Sequence, residues 1–304
     1  MTTDTFRAFL DGASASLGGA ATAWAEAAPA WLDELRERWE LELGGEIDRG
    51  RDTYAVAAVR AGERPVTLQL VYPDGWFHDR VAALTLWDGE GAVALIDHDP
   101  RGALLLDRPI PGDPLSDMDD EEAALGLAAG VLQELWIPAP DDLRTVDDEA
   151  GEWVRTMPAR HHLAGRPFSR ELIHEAVAGA RDLFATPGEQ ELLHGDLRLA
   201  NVVRGSDGYV AVDPRPLVGE RAFDATALLR DDPTVIAADP VAGAMRVQRR
   251  FEFLTGRLGL DRVRLQMWTF VVLVDATLWA FESGARAYGD AELAVTQLVR
   301  ELRV

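Results

Sequence analysis

His194-Gly195-Asp196-Leu197-Arg198-Leu199-Ala200-Asn201 is followed by Val212-Asp213-Pro214 and then by Asp224. Transfer of a phosphoryl group needs one carboxylate to take the proton of the acceptor hydroxyl, and oxygen ligands for Mg²⁺. A turn can hold Asp196 and Asn201 on one side, with Leu197, Leu199 and Ala200 anchoring it in a core. Asp213 returns on a strand after a hairpin around Ser206-Asp207-Gly208, and would face the same cleft as a second metal ligand. His194, just before the base, suits bracing the loop by hydrogen bonding. A lone His-x-Asp is a frequent accident. The full set with a hairpin between its parts is not, and it points to a phosphotransferase site.

The chain around this motif changes character once. Residues 20–40 read as a helix with Trp24, Trp31, Leu32 and Leu35 on one stripe. Residues 53–60 and 66–71 read as an antiparallel hairpin across the turn Ala61-Gly62-Glu63-Arg64-Pro65. A helix over 79–87 follows, through Val81, Leu84 and Trp87, and Asp88-Gly89-Glu90-Gly91 ends it. Two short strands, 92–97 and 103–107, flank the turn Asp99-Pro100-Arg101-Gly102. Residues 109–114, rich in Pro and Gly, read as a linker. Beyond it the pattern is helical over 119–136, 149–157, 170–184, 238–258 and 261–283, with 202–212 the one β-like exception. The expected class is α+β and bilobal. A small antiparallel-sheet lobe covers residues 1–106, and a larger, mostly helical lobe covers 107–304.

Composition narrows the function. The net charge of −22 over 304 residues argues against a nucleic-acid partner, which needs a basic footprint. It is compatible with a cationic small-molecule substrate, because a negative cleft concentrates cations, although solubility alone also accounts for it. No cysteine is present, which excludes disulfides, Cys-ligated zinc and thiol nucleophiles, and fits a reducing compartment. The N-terminus lacks the basic start and apolar run of a signal peptide, and no run of 18 apolar residues exists, so no membrane association and a cytoplasmic location are expected. The longest apolar region, 267–280, is interrupted by Thr269, Asp275 and Thr277 and reads as a buried helix. Nothing in the chain fixes an oligomeric state. All 30 residues in the Lys+Arg count are arginine, so no lysine is available to bind a phosphate.

HGDLRLANVV at 194–203 resembles the aminoglycoside 6-phosphotransferases, the streptomycin 6-kinases, with which hydroxyurea-type phosphotransferases are grouped. VDPRPLVGERAFDAT at 212–226, LTLWDGEGAVALIDHDPRGALLLDR at 84–108 and RLGLDRVRLQMWTFVVLVDATLWAFESG at 257–284 extend the resemblance over about 39–284. It implies a protein-kinase-like bilobal fold that uses a Mg-nucleotide, ATP or GTP, to phosphorylate an antibiotic hydroxyl. By position, Asp196 would be the base with His194 beside it, Asn201 and Asp213 would hold Mg²⁺, and Asp224 would brace the loop. Adenine would sit against a hinge at 105–108, near Leu106.

Two positions depart from the family. Its strand lysine, in a V-L-K-L-like context, is replaced by Gln69 in Val66-Thr67-Leu68-Gln69-Leu70. Its helix glutamate is replaced by Arg80, next to Asp79. Glutamine can hydrogen-bond a phosphate oxygen but brings no charge, and a cation in a water-shielded site acts strongly on the transition state. Arg80 and Arg215 are candidate substitutes, since a guanidinium fork suits phosphate. The alternative for Arg80 is a solvent-exposed helix position. The glycine-rich stretch 43–51 is not G-x-G-x-x-G and reads as a loop, either ordinary or approaching phosphates. Glu282, Asp147, Asp148 and Glu149 are candidate acidic contacts for a cationic acceptor. Three readings follow: an active aminoglycoside-type kinase, a catalytically weak or inactive homologue that binds a ligand or partner, and a kinase fold recruited to a biosynthetic pathway.

Overall fold

The computed structural model describes residues 4–17, 19–48, 53–60 and 64–303. The chain divides into two compact units, Met1–Gly112 with Arg204–Val210, and Asp113–Val203 with Ala211–Val304. The position expected to end the first lobe, residue 106, falls inside the first unit.

The first unit contains helices α1 (Asp4–Leu17) and α2 (Gly19–Arg38), strands β1 (Leu41–Asp48), β2 (Thr53–Arg60) and β3 (Arg64–Val71), helix α3 (Gly75–Trp87), and strands β4 (Leu95–Asp99) and β5 (Ala103–Asp107). The strands form one antiparallel sheet in the order β1-β2-β3-β5-β4. The helical stripe read in α2 is the core face. Trp24, Trp31, Leu32 and Leu35 pack into one cluster with Tyr54, Leu68, Leu70 and Leu105 of the sheet. A buried indole needs a partner for its N–H. Trp24 donates to the carbonyl of Arg101 at 2.7 Å and Trp39 to Asp97 Oδ2 at 2.7 Å. Asp74 caps α3 by accepting the Phe77 amide, and Asp88 closes it in the left-handed conformation at φ 46°.

Two features differ from the expectation. Residues 43–48 are not a loop but part of edge strand β1; register slips between Leu43 and Glu46 and again before Asp48, so Gly44 and Gly45 mark a bulge. The rest of that glycine-rich stretch, residues 49–51, and the turn residues 61–63 lie outside the described residues. Helix α1 was not anticipated, although Phe6, Phe9 and Leu10 have helical spacing; Phe6 packs on Tyr54 with ring centroids 5.1 Å apart.

The second unit begins with α4 (Glu121–Leu135), β6 (Ile137–Pro138), α5 (Val146–Leu163), α6 (Arg170–Ala185) and β7 (Glu191–Leu193). The hairpin β8 (Val202–Arg204) and β9 (Tyr209–Ala211) comes next, its tip grouped with the first unit. Then follow β10 (Leu217–Gly219), α7 (Arg221–Asp224), α8 (Thr226–Leu229), α9 (Pro233–Ala238), α10 (Pro240–Leu258), α11 (Arg262–Glu282) and α12 (Arg286–Arg300). β7 is the middle strand of a small antiparallel sheet ordered β10-β7-β6, which the sequence had not suggested. Helix α5 is longer than the expected 149–157 because Thr145 and Asp148 form a capping box ahead of it. Helix α11 is long and apolar enough to cross a membrane by length and composition alone, yet 61% of that window is buried among the other helices. Its polar interruptions are satisfied internally: Thr269 donates to the Leu265 carbonyl at 2.7 Å, and Asp275 accepts from Arg160 at 2.5 Å.

Candidate active site

Strand β7 delivers the chain to His194, and β10 returns beside it, pairing Leu193 with Leu217. The Arg215 amide donates to the His194 carbonyl at 2.9 Å, which extends this pairing into the motif. The close approach requires glycine at 195. Gly195 has φ +79°, and a Cβ there would lie 1.9 Å from the Arg215 carbonyl oxygen.

His194 is fully buried. Its Nε2 faces the Val212 carbonyl oxygen at 3.1 Å, and its Nδ1 accepts the Asp196 amide at 3.4 Å. A carbonyl only accepts and an amide N–H only donates, so the proton sits on Nε2 and the ring is neutral. Burial lowers its pKa from the usual histidine value, against the pull of Asp224 and Asp196. A ring with both nitrogens engaged braces the loop and has no proton to exchange with a substrate.

Asp224, 1% exposed, accepts from the amides of His194 (3.0 Å) and Gly195 (2.8 Å) and from the Trp136 indole (3.0 Å). Burial pushes its carboxyl up, and these donors hold it back. One side chain thus fixes two consecutive amides of the motif.

The turn itself is one turn of 3-10 helix, Leu199–Asn201, with Leu197 and Leu199 buried beneath it. Asn201 donates its side-chain amide to the Asp196 carbonyl at 2.8 Å. The Asn201 carbonyl accepts the Val212 amide at 2.9 Å, which places Asn201 beside the residue preceding Asp213. Asp213 takes a left-handed backbone, φ 54°, a conformation that Asp adopts more readily than most residues with a Cβ. Asp196, Asn201 and Val212, the residue before Asp213, are therefore joined along one hydrogen-bonded path.

Two arginines face the carboxylate of Asp196. Arg198 Nη2 donates to Oδ2 at 3.0 Å, and Arg230 Nη2 lies 3.8 Å from Oδ1. Arg230 Nη1 is also 3.8 Å from Oε1 of Glu292 on α12, whose side chain is 1% exposed. Burial pushes the Glu292 carboxyl up, against the opposing effects of Arg230, Tyr288 and Arg198. Neither Arg230 nor Glu292 stood out in the sequence. Both lie far along the chain from the motif, and charged residues at helix ends and on helices usually face solvent.

The remaining expected residues divide between the two units. Gln69 lies on β3 opposite Ala55 and Leu104, Arg80 on α3 and Leu106 on β5, all buried and all in the first unit. Arg80 is 7% exposed, so the alternative of a solvent-facing position is overturned. Arg215 is exposed in the second unit. The acids considered for a cationic acceptor have structural partners. Asp148 belongs to the capping box, Glu149 accepts from Trp153 and pairs with Arg144, and Glu282 is gripped by Arg160. Asp147 lines a shallow recess with Glu220 and Trp268.

Residues 38–284 match the family model described as aminoglycoside/hydroxyurea antibiotic resistance kinase. The chain is 34% identical to a streptomycin 6-kinase of Streptomyces glaucescens over 274 residues, covering 88% of each chain. It is 34% identical to a hydroxyurea phosphotransferase of Kitasatospora aureofaciens, covering 88% of this chain and 77% of that one. Among solved structures it resembles choline kinase LicA from Streptococcus pneumoniae, with TM-score 0.64, 13% identity and coverage of 89% and 99%. It also resembles the aminoglycoside phosphotransferase APH(4)-Ia in complex with ADP and hygromycin B, with TM-score 0.60, 13% identity and coverage of 88% and 97%. The fold is thus protein-kinase-like. On a match that spans both units, the chain belongs to the aminoglycoside/hydroxyurea antibiotic resistance kinase family and is a small-molecule phosphotransferase.

Proposed function

We propose that the chain transfers a phosphoryl group from a Mg-nucleotide, ATP or GTP, to a hydroxyl of a small cationic molecule of the aminoglycoside, streptomycin-like type, in the cytoplasm. The observation that carries this reading is the hydrogen-bonded path joining Asp196, Asn201 and the segment leading to Asp213. Asp196 takes the hydroxyl proton as the acceptor oxygen bonds to the terminal phosphorus and the nucleoside diphosphate leaves. Asn201 Oδ1 and the Asp213 carboxylate are hard oxygen donors that fit the protein's share of a Mg²⁺ site, the phosphates and waters supplying the remainder. When bound, Mg²⁺ neutralises charge on the phosphate oxygens. Arg198, beside the base, offers a cation on the same turn. The streptomycin kinases among the relatives support the acceptor class, and the ADP complex of a structural neighbour supports nucleotide use.

Gln69 favours a second reading, a slow or inactive homologue that binds a ligand or partner. A buried neutral amide stands on β3 where the family carries its cation. Calorimetric titration with ATP and with GTP, each with and without Mg²⁺, tests the first reading. Mg-dependent binding supports it, and no binding to either nucleotide sinks it. A panel of aminoglycosides and hydroxyurea then identifies the acceptor. Gln69→Lys separates the two readings: a rise from trace turnover marks a weakened kinase, and a fall from high turnover marks a site rebuilt around glutamine.

A further inference from the structure

The catalytic turn has a weakness that the rest of the fold corrects. Its N-cap residue, Arg198, makes no side-chain cap hydrogen bond. An uncapped first amide beneath a half-buried turn is costly. That amide, Leu199 N, donates instead to Asp231 Oδ2 at 2.8 Å, a residue 32 positions later in the chain. Asp231 is itself held by its backbone. Its carbonyl accepts from Arg250 Nη1 at 2.6 Å. Arg250, on α10, is 1% exposed and is anchored through Nε to Glu121 on α4 at 2.7 Å. Arg246 donates to the same Glu121 oxygen at 2.7 Å. A buried guanidinium is expensive to desolvate, and two apolar helices could pack without one. Here it pins one carbonyl in the short segment that reaches back to the motif.

The Leu199 amide lies between Asp196 and Asn201, so its position sets the spacing of both. The preceding residue in the same segment, Arg230, approaches the carboxylate of Asp196. Residues 230 and 231 therefore reach the turn twice, once at the side chain of the base and once at the backbone.

We infer that Asp231 is a positioning residue for the catalytic turn, acting as its N-cap from a distance, with Arg250 as its anchor. The inference rests on the roles proposed above for Asp196 and Asn201. It is tested on the full chain with Asp231→Ala and Asp231→Asn by amide-resolved hydrogen exchange and steady-state kinetics. Asp231→Ala should speed exchange of the Leu199 amide at least ten-fold while the amides of β7 and β10 stay protected. It should lower kcat ten- to a hundred-fold and shift the Mg²⁺ dependence of the rate to higher concentration. Asp231→Asn keeps an acceptor oxygen in place and should recover most of both. Unchanged Leu199 exchange in Asp231→Ala overturns the inference, as does loosening that spreads equally through β7 and β10. Selective loss of protection in a chain that transfers no phosphate to any acceptor would retire the proposed reaction and leave the capping role standing.

Discussion

The side-chain amide of Asn201 donates to the backbone carbonyl of Asp196 at 2.8 Å, so the candidate metal ligand also fixes the residue proposed as the base. The amide nitrogen only donates, one of its two N–H groups going to that carbonyl, and the amide oxygen is the atom with ligand chemistry. Asn201→Ala removes both roles. It should lower kcat by roughly a hundred-fold and shift the Mg²⁺ dependence of the rate to higher concentration. A Mg²⁺ titration of initial rates checks this, and an unshifted titration would take Asn201 out of the metal site.

Asp196→Asn leaves the shape of the turn intact and removes the proton acceptor. The expected loss in kcat is about 10²–10⁴-fold, the usual contribution of a general base. Its pair with Arg198 is partly exposed, with side-chain exposures of 45% for Arg198 and 22% for Asp196, so stability should change by no more than about 1 kcal/mol. Turnover and denaturant unfolding on the same preparation separate the two effects. Retained turnover in the variant would refute the assignment.

Gly195→Ala forces a Cβ into left-handed backbone and against the Arg215 carbonyl. Positive φ and overpacking together should cost roughly 2–5 kcal/mol. A second unit that melts at the wild-type temperature would contradict the geometry.

Glu292 gives a pH signature. Its pKa in the fold is raised by burial, so it contributes stability below the ordinary carboxylate range, and that contribution is lost as pH rises through the raised value. Ionised Glu292 is then a burden on the folded state. Glu292→Gln should unfold at a higher temperature than wild type at pH 8, with the gap closing as pH falls. Melting curves across that range decide it. Arg230, Arg198 and Tyr288 face the same carboxyl, and Tyr288 is itself pushed up to about 12, chiefly by burial, so the phenol stays neutral throughout.

The sequence made the motif legible because its parts are close in the chain and their chemistry is uncommon together. Spacing brought Asp196 near Asn201, and the intervening hairpin brought Asp213 back. The clamp around them was not legible. Arg230 and Asp231 stand in Leu229-Arg230-Asp231-Asp232-Pro233, which reads as a polar helix end, and only the fold shows both reaching the motif. Strand β1 was hidden because Gly44-Gly45 broke the alternation that marks a strand, the bulge being the physical reason for both. The Thr145–Asp148 capping box, by contrast, was readable as Thr-x-x-Asp before a helical pattern. Asp148 was instead considered for substrate contact, a role its bonds to Thr145 now compete with.

Helix α1 and all but the last residue of α2 precede the family-matched segment, which begins at residue 38. They nevertheless supply Phe6, Leu10, Trp24, Trp31, Leu32 and Leu35 to the cluster that contains Tyr54, Leu68, Leu70 and Leu105. The segment that the family model matches is therefore shorter than the stretch that builds this core. A chain trimmed to the shared segment would keep its whole catalytic motif and still present one face of its sheet bare to water, inviting aggregation before any chemistry could be assayed.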